Sequence, residues 1–215
     1  MRPAVRSALR WVLPAVLLAL ALLVALYPRP DTTADPGGAD QPTARPVDLG
    51  QLRAAAALQS CPAPSPGDIR PVAALSGVVL PCLGAPGTVD LAAALAGRPA
   101  LLNLWGPACQ PCAEELPALA AYAAEPGAIP VLGVEVQRLP EGALDMLAAL
   151  HVHYPSVSDP DGKLRAALGA PEVIPLSFVV SADGRVSQVN PPTVLRSPDQ
   201  ARAVIQRYLG PGAAG

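Results

Sequence analysis

The sequence predicts an α/β fold in which helices cover both faces of a β-sheet. Strand-like and helix-like segments alternate between about residues 77 and 209. Residues 129–136 are apolar on both faces, as expected of a parallel strand that lies between two helical layers. The apolar run 100–105 stops at Gly106 and Pro107 and leads directly into a helical pattern. Together these observations predict strand–helix–strand units around a central buried strand.

The individual elements follow from local patterns. A helix-prone segment covers residues 49–58, and short strands are predicted at 77–80 and 88–89. Asp90 is suited to cap a small helix over 90–96, which Gly97 ends. The later elements are the helix to about residue 124, strand 129–136, helix 141–150, strand 154–158, helix 163–168, strand 176–181, a hairpin into strand 185–189, and a helix from Ser197 to residue 209 with Pro198 at its first position.

The first 27 residues predict export. Arg2, Arg6 and Arg10 precede residues 11–27, a run of 17 residues without a charge, which is the order of a signal sequence. Such a run is at the short end of what can span a bilayer of about 30 Å. Because a small-x-small cleavage site is poor here, we favour a retained single-pass anchor over a cleaved signal peptide. Residues 1–10 are then cytoplasmic, and the domain is extracytoplasmic at the cell membrane.

The rest of the chain divides by composition. Residues 28–48 are rich in proline, glycine and small polar residues, which predicts a flexible tether. Residues 49–67 form a short helix and a linker docked on the domain, residues 68–210 form the domain itself, and residues 211–215 are an expected disordered tail. Beyond residue 30 the chain carries 11 basic and 17 acidic residues without a basic cluster, so nucleic acid is not an expected partner.

Two cysteines lie at the start of the helix that follows the central strand. The first N–H groups of a helix have no internal partner and its N-terminal end is positive, so a thiolate at Cys109 is favoured. Cys112 is one turn further on, where its sulfur can close a short, reducible disulfide. These residues predict a redox-active pair with Cys109 as the nucleophile and Cys112 as the resolving cysteine.

The surrounding residues resemble a known family. The resemblance rests on Asn103-Leu104-Trp105, then Cys109-Gln110-Pro111-Cys112, and then Pro117. This segment is similar to the active site of the thioredoxin fold, and especially to the TlpA/ResA-like family of membrane-anchored thiol–disulfide oxidoreductases. The resemblance implies a thioredoxin-like fold, with a mixed central sheet flanked by helices and preceded by one N-terminal transmembrane helix. It covers about residues 75–209.

The resemblance also assigns residues around the cysteines. It implies a cis Pro175 after Ile174, with Trp105, Ile174 and Pro175 contacting the substrate; the alternative for Pro175 is an ordinary proline at a strand edge. Glu135, an acid within an apolar strand, is a candidate for tuning the cysteine pKa values. Asn103 stands where thioredoxin carries a buried acid. Because an amide cannot accept the Cys112 proton, another group or water must do so.

Three further groups of residues have plainer interpretations. Four cysteines in an exported chain suggest two disulfides, so Cys61 and Cys82 are the expected structural pair, with free thiols or an auxiliary redox pair as alternatives. Glu114 and Glu115 are interpreted as acids that complement a helix N-terminus. The two histidines, His151 and His153, have poor spacing for metal ligands, and we expect neither a metal nor a cofactor.

The resulting functional expectation is a membrane-tethered protein disulfide reductase outside the cytoplasm. The family resemblance suggests exported disulfide-containing substrates such as apocytochrome c, and a membrane electron donor of the CcdA or DsbD type. Two alternatives are open: an oxidase that forms disulfides, and a non-catalytic thioredoxin-like module that binds a cysteine-containing or copper-carrying partner.

Overall fold

The computed structural model describes residues 48–210, except 65, 66 and 68, together with residues 20, 22 and 26. The first of these ranges belongs to the compact unit Val47–Gly215. Leu20, Leu22 and Leu26 are helical and exposed. The rest of the expected anchor, the basic segment 1–10, the tether up to residue 47 and the tail 211–215 lie outside the described residues. No helix within the described part of the chain is long and apolar enough to cross a membrane.

Five strands form the central sheet: β3 Ala100–Trp105, β4 Val131–Glu135, β5 Ser156–Ser158, β6 Leu176–Val180 and β7 Val186–Gln188. Their order across the sheet is β5-β4-β3-β6-β7. Strand β3 lies in the middle, parallel to β4 and antiparallel to β6. Strand β5 is parallel to β4, and β7 is antiparallel to β6. The predicted α/β class and mixed sheet are therefore confirmed.

The remaining elements pack around this sheet. Strands β1 (Val79–Pro81) and β2 (Thr88–Asp90) form a separate antiparallel pair. The helices are α1 Leu49–Ala56, α2 Leu91–Ala94, α3 Gln110–Ala123, α4 Pro140–Ala149, α5 Lys163–Ala167 and α6 Pro198–Leu209, with a 3-10 turn at Ala73–Leu75 that the sequence patterns did not predict. The predicted helices and strands end within two residues of the observed bounds.

Both faces of β3 are buried, in two different hydrophobic clusters. Leu101 and Trp105 belong to the cluster that contains apolar residues of α3, α4 and α6. Leu102 and Leu104 belong to the cluster formed with α2, α5 and the β1–β2 pair. Successive side chains of a strand point to opposite faces, so a strand covered on both sides is continuously apolar. This arrangement explains why the run from residue 100 to 105 shows no polar alternation.

Candidate active site

The cysteine pair lies where β3 leads into α3. Cys109 is the N-cap of α3, and its Sγ accepts a hydrogen bond from the Cys112 N–H at 3.2 Å. The two residues form a disulfide. Cys109 is 8 % exposed, whereas Cys112 is fully buried. Of the two residues only Cys109 keeps any exposure, which agrees with the roles of nucleophile and resolving cysteine.

The turn before Cys109 places its sulfur at the helix start. The Cys109 N–H donates to the Gly106 carbonyl at 3.1 Å and closes the turn. Pro111 occupies the first turn of α3, where its missing N–H costs nothing. Ala108 is exposed beside the sulfur and presents only a methyl group. The local sequence therefore places Cys109 at the start of the helix.

Glu115 is the buried acid of this site, a position that was not predicted from the sequence. Its side chain is 1 % exposed and lies one helical turn after Cys112. Asn103 Nδ2 donates to Glu115 Oε2 at 2.7 Å, and the Leu195 N–H donates to Oε1 at 2.8 Å. Burial nevertheless raises the pKa of Glu115 to about 6. A carboxylate with this pKa can accept a proton near neutral pH.

Helical periodicity contained the signal for Glu115. Positions 112, 115, 116 and 119 follow the i, i+3, i+4, i+7 spacing of one helix face, and all four residues are buried. Glu114, by contrast, is exposed and forms a salt bridge to Arg196 at 3.0 Å. The expectation that both acids simply complement the helix N-terminus is thus wrong for Glu115.

A buried polar cluster extends from Glu115 across the sheet. Asn103 Nδ2 also lies 3.3 Å from Ser177 Oγ on β6, while Asn103 Oδ1 is buried without a hydrogen-bond partner. The hydroxyl of Tyr154 is likewise buried and unpaired. Its pKa is raised well above the usual value, first by burial and then by the negative charge of Glu115. Asn103 therefore hydrogen-bonds to the buried acid of this cluster.

Trp105 lies inside the domain, and its predicted contact with substrate stays a prediction. It is fully buried, and its Nε1 is enclosed without a partner. As the last residue of β3 it points toward the same cluster as Cys112, so it supports the motif from inside.

Glu135 is bonded to the loop that follows its own strand, and its predicted tuning of the cysteine pKa values stays a prediction. Its Oε1 accepts from the backbone N–H groups of Gln137 at 2.6 Å and Leu139 at 3.3 Å, and Ser158 Oγ donates to Oε2 at 2.7 Å. These donors hold the loop after β4. The Glu135 carboxylate is thus bonded to the loop after its own strand, whereas Glu115 lies on the helix of the cysteine pair.

Pro175 follows a cis peptide bond after Ile174. Pro175 is buried, and Ile174 is half-buried and packs against the cluster that contains both active-site cysteines. A second cis bond, Asn190–Pro191, was not predicted. The contact of Ile174 and Pro175 with a substrate chain stays a prediction.

The other two cysteines form a disulfide away from the active pair. Cys61 and Cys82 are joined across a sequence separation of 21. Cys82 forms a β-bridge to Val157, beside β4 on the edge strand β5. The bond therefore attaches the segment after α1 to the sheet.

The two histidines were predicted not to form a metal site. His151 is exposed with a positive φ of 53°, and His153 Nδ1 lies 2.9 Å from the Ala56 carbonyl oxygen. Over the described ranges, no group of three or more potential metal ligands occurs.

Comparison with known proteins identifies the family. Residues 71–205 match the profile described as Redoxin, which is more than half of the chain. The chain belongs to the Redoxin family. The match contains the sheet, both cysteines of the active pair and Glu115.

Curated relatives of this Redoxin chain have names that refer to thiol–disulfide chemistry or secretion. The chain is 32 % identical over 109 residues to "Soluble secreted antigen MPT53" of Mycobacterium tuberculosis, covering 50 % of this chain and 62 % of that protein. It is 38 % identical over 108 residues to "Thiol:disulfide interchange protein DsbE" of Pseudomonas aeruginosa, covering 46 % and 59 %. The chain thus spans about 60 % of the length of these relatives.

Solved structures share the fold. A secreted M. tuberculosis disulfide oxidoreductase, described as homologous to E. coli DsbE, is 26 % identical with a TM-score of 0.53, covering 60 % of this chain and 94 % of that one. A secreted thiol-disulfide isomerase from Corynebacterium glutamicum is 26 % identical with a TM-score of 0.52, covering 68 % and 98 %. Both structures are thus named for disulfide chemistry, and this chain shares their fold, with Cys109 8 % exposed and Cys112 fully buried.

Proposed function

We propose that the protein is an extracytoplasmic, membrane-tethered thiol–disulfide oxidoreductase of the TlpA/ResA-like branch that reduces disulfides of exported proteins. One observation carries the proposal. The Cys109–Cys112 disulfide lies at the N-terminus of α3, with Cys109 slightly exposed and Cys112 fully buried. This asymmetry suits a pair that attacks a partner's disulfide and then releases the product by internal exchange.

The reduced pair acts in two steps. The Cys109 thiolate attacks one sulfur of the substrate disulfide, and the other substrate sulfur leaves as a thiolate, which takes up a proton. Cys112 loses its proton to Glu115 and attacks the Cys109 sulfur, which releases the second substrate sulfur. The substrate gains two electrons, and the Cys109–Cys112 pair becomes a disulfide.

The position of Glu115 supports the reducing direction. A carboxylate one turn from Cys112 repels a second negative charge, so it disfavours accumulation of the thiolate form. Proteins that stabilise their reduced thiolate form are strong oxidants. A protein whose thiolate form is destabilised is therefore favoured as an electron donor. Glu115 also supplies the proton acceptor that Asn103 cannot provide.

The names of relatives, the family resemblance and the N-terminal sequence support the proposed substrate and location. The names of relatives include the words "secreted" and "thiol:disulfide interchange". Resemblance to the TlpA/ResA-like branch supports apocytochrome c as a substrate and a CcdA- or DsbD-type membrane donor that returns two electrons to Cys109–Cys112. The apolar run at residues 11–27 supports the membrane tether.

The proposal is tested by redox titration of the purified full chain in glutathione and dithiothreitol buffers, with alkylation mass shifts assigned to each cysteine pair. We expect the Cys109–Cys112 potential near that of thioredoxin, about −270 mV, and far below that of DsbA, about −120 mV. A potential near the DsbA value would refute the reductase and support the disulfide-forming oxidase.

Insulin reduction with dithiothreitol as donor separates the enzyme from a binding module. We expect wild-type turnover, none for Cys109→Ser, and a trapped mixed disulfide for Cys112→Ser. Wild-type protein that binds substrate without turnover would support the non-catalytic module instead.

A further inference from the structure

The loop after β4 contains a side chain that reaches the cysteine turn. Gln137 is half-buried, and its Oε1 accepts the Ala108 N–H at 2.9 Å. Ala108 directly precedes Cys109 and is separated from Gln137 by 29 positions in sequence. This hydrogen bond joins the turn before the nucleophile to the loop that follows β4.

Gly106 leaves the room that this contact needs. A Cβ at position 106 would lie 2.3 Å from both Cδ and Oε1 of Gln137, far inside any permitted contact. The Gln137 side chain therefore lies against the backbone at one end of the turn and hydrogen-bonds near the other. The turn is closed by its own hydrogen bond from the Cys109 N–H to the Gly106 carbonyl, and Gln137 holds it by a second hydrogen bond.

The Gln137 backbone is itself firmly held. Glu135, fully buried, accepts its N–H at 2.6 Å, and the same carboxylate is held by Ser158 Oγ at 2.7 Å. The Val136 N–H donates to the Trp105 carbonyl at 3.0 Å, which attaches the start of the loop to the end of β3. A buried carboxylate satisfied by several donors gives a rigid support for the side chain that follows it.

We propose that Gln137 is a positioning residue for thiol–disulfide exchange, which holds the Gly106–Ala108 turn so that the Cys109 sulfur stays at the N-terminus of α3. This inference rests on the proposed function of the cysteine pair. The sulfur now accepts the Cys112 N–H, a contact that favours a thiolate. Without the Gln137 acceptor the turn is free to move, and the sulfur leaves the helix terminus for part of the time.

The primary test is Gln137→Met, which keeps the length of the side chain and removes the acceptor. The reduced full chain is alkylated at fixed pH 7, and its dithiol–disulfide equilibrium is measured against glutathione. A helix terminus is worth roughly 0.3–1 kcal/mol to a nearby charge and up to about 2 when partly buried, so we expect Cys109 alkylation to slow about threefold to tenfold. The equilibrium should shift toward the disulfide by a similar factor.

Gly106→Ala tests the same contact from the opposite side. Its new methyl group displaces the Gln137 side chain, so it should reproduce the effect, and the double variant should be no worse than the stronger single variant. Gln137→Asn, whose amide is too short to reach, provides a third variant if one of the others fails to fold. Gln206→Met on α6 is the matched control and should behave like the wild type.

The outcomes separate this inference from the proposed function. If the wild type exchanges with glutathione and Gln137→Met alkylates within twofold of it, the role of Gln137 is refuted and the function stands. Full additivity of Gln137→Met and Gly106→Ala would also refute the shared contact. If the wild-type Cys109–Cys112 pair does not exchange with glutathione or dithiothreitol, the proposed function itself fails.

Discussion

At the scale of single residues, Glu115 combines a stability cost with a chemical use. Its carboxylate is enclosed between α3, Asn103 and the backbone of Leu195. Two hydrogen bonds partly offset the loss of hydration, and the pKa is still raised to about 6. The charged form is thus less favourable in the folded protein than in the unfolded chain. This is the usual arrangement for a carboxyl group that must exchange protons near neutral pH.

The pH dependence of stability follows from this raised pKa. Between pH 4.5, the ordinary value, and about 6, the folded protein binds more protons at Glu115 than the unfolded chain does. The Glu115 contribution is therefore complete below pH 4.5 and is lost as the pH rises through about 6. This shift of the Glu115 pKa from 4.5 to about 6 corresponds to about 2 kcal/mol in the free energy of unfolding. We expect Glu115→Gln to be more stable than wild type at pH 7 by up to this amount, and not at pH 4.5, measured by urea unfolding.

The same variant should lose activity. Without a proton acceptor for Cys112, we expect resolution of the mixed disulfide to slow about 100-fold at pH 7, while alkylation of Cys109 is not slowed. Glu114→Gln is the matched control, because that neighbouring acid is exposed and should change neither property by much. Equal stability of Glu115→Gln and wild type at pH 7 would contradict the assignment of the raised pKa.

At the scale of elements, the Cys61–Cys82 disulfide secures α1 and the segment after it. Helix α1 is only eight residues long and is held by packing and a few hydrogen bonds. Arg53 Nε donates to the Leu83 carbonyl at 3.1 Å, and the Gln59 N–H donates to the His153 carbonyl at 2.7 Å. A helix this short does not persist alone in water, so its order depends on these attachments.

Removal of that disulfide should lower stability without touching the chemistry. On the chain-entropy estimate for a loop of about 20 residues, Cys61→Ala/Cys82→Ala should lower the free energy of unfolding by about 3 kcal/mol. Denaturant unfolding of the oxidised proteins measures this. Insulin reduction at 25 °C should be unchanged, because Cys109 and Cys112 lie in a different cluster from Cys82. Loss of turnover with intact folding would support an auxiliary redox pair.

At the scale of the whole molecule, the sheet topology determines where chemistry occurs. Strand β3 is central, and its carboxyl end delivers Cys109 to α3 while the parallel β4 delivers the Gln137 loop to the same edge. Residues from different parts of the chain thus meet because parallel strands end together. The antiparallel strand β6 begins near this edge, directly after the cis Pro175.

The membrane tether is a prediction at this same scale. We expect the full chain expressed in a bacterial host to remain in the membrane fraction after a carbonate wash, because residues 11–27 supply 17 uncharged residues. A chain that starts at residue 47, fused to a cleavable signal peptide, should be released as a free protein. Recovery of the full chain in the free fraction, shortened at its N-terminus, would instead support a cleaved signal peptide.

Much of the fold was predictable because its signals are local. The central strand was predicted with its observed bounds, since a mostly apolar run of six residues between a proline and a glycine leaves few alternatives. The cysteine pair was predictable for the same reason, because its chemistry depends on a turn and a helix start that are adjacent in sequence. The 3-10 turn at Ala73–Leu75 has no comparable local pattern and was missed.

Local sequence patterns predicted the succession of strands and helices along the chain, the redox pair and the start of α3, all of which depend on neighbours within a few residues. Packing between distant elements encloses Glu115, bonds Glu135 to its own loop and covers Trp105. The environment of an acid depends on which distant groups surround it, here Leu195 and Asn103. Burial and partners are set by packing between elements far apart in sequence, and so they cannot be inferred from local pattern alone.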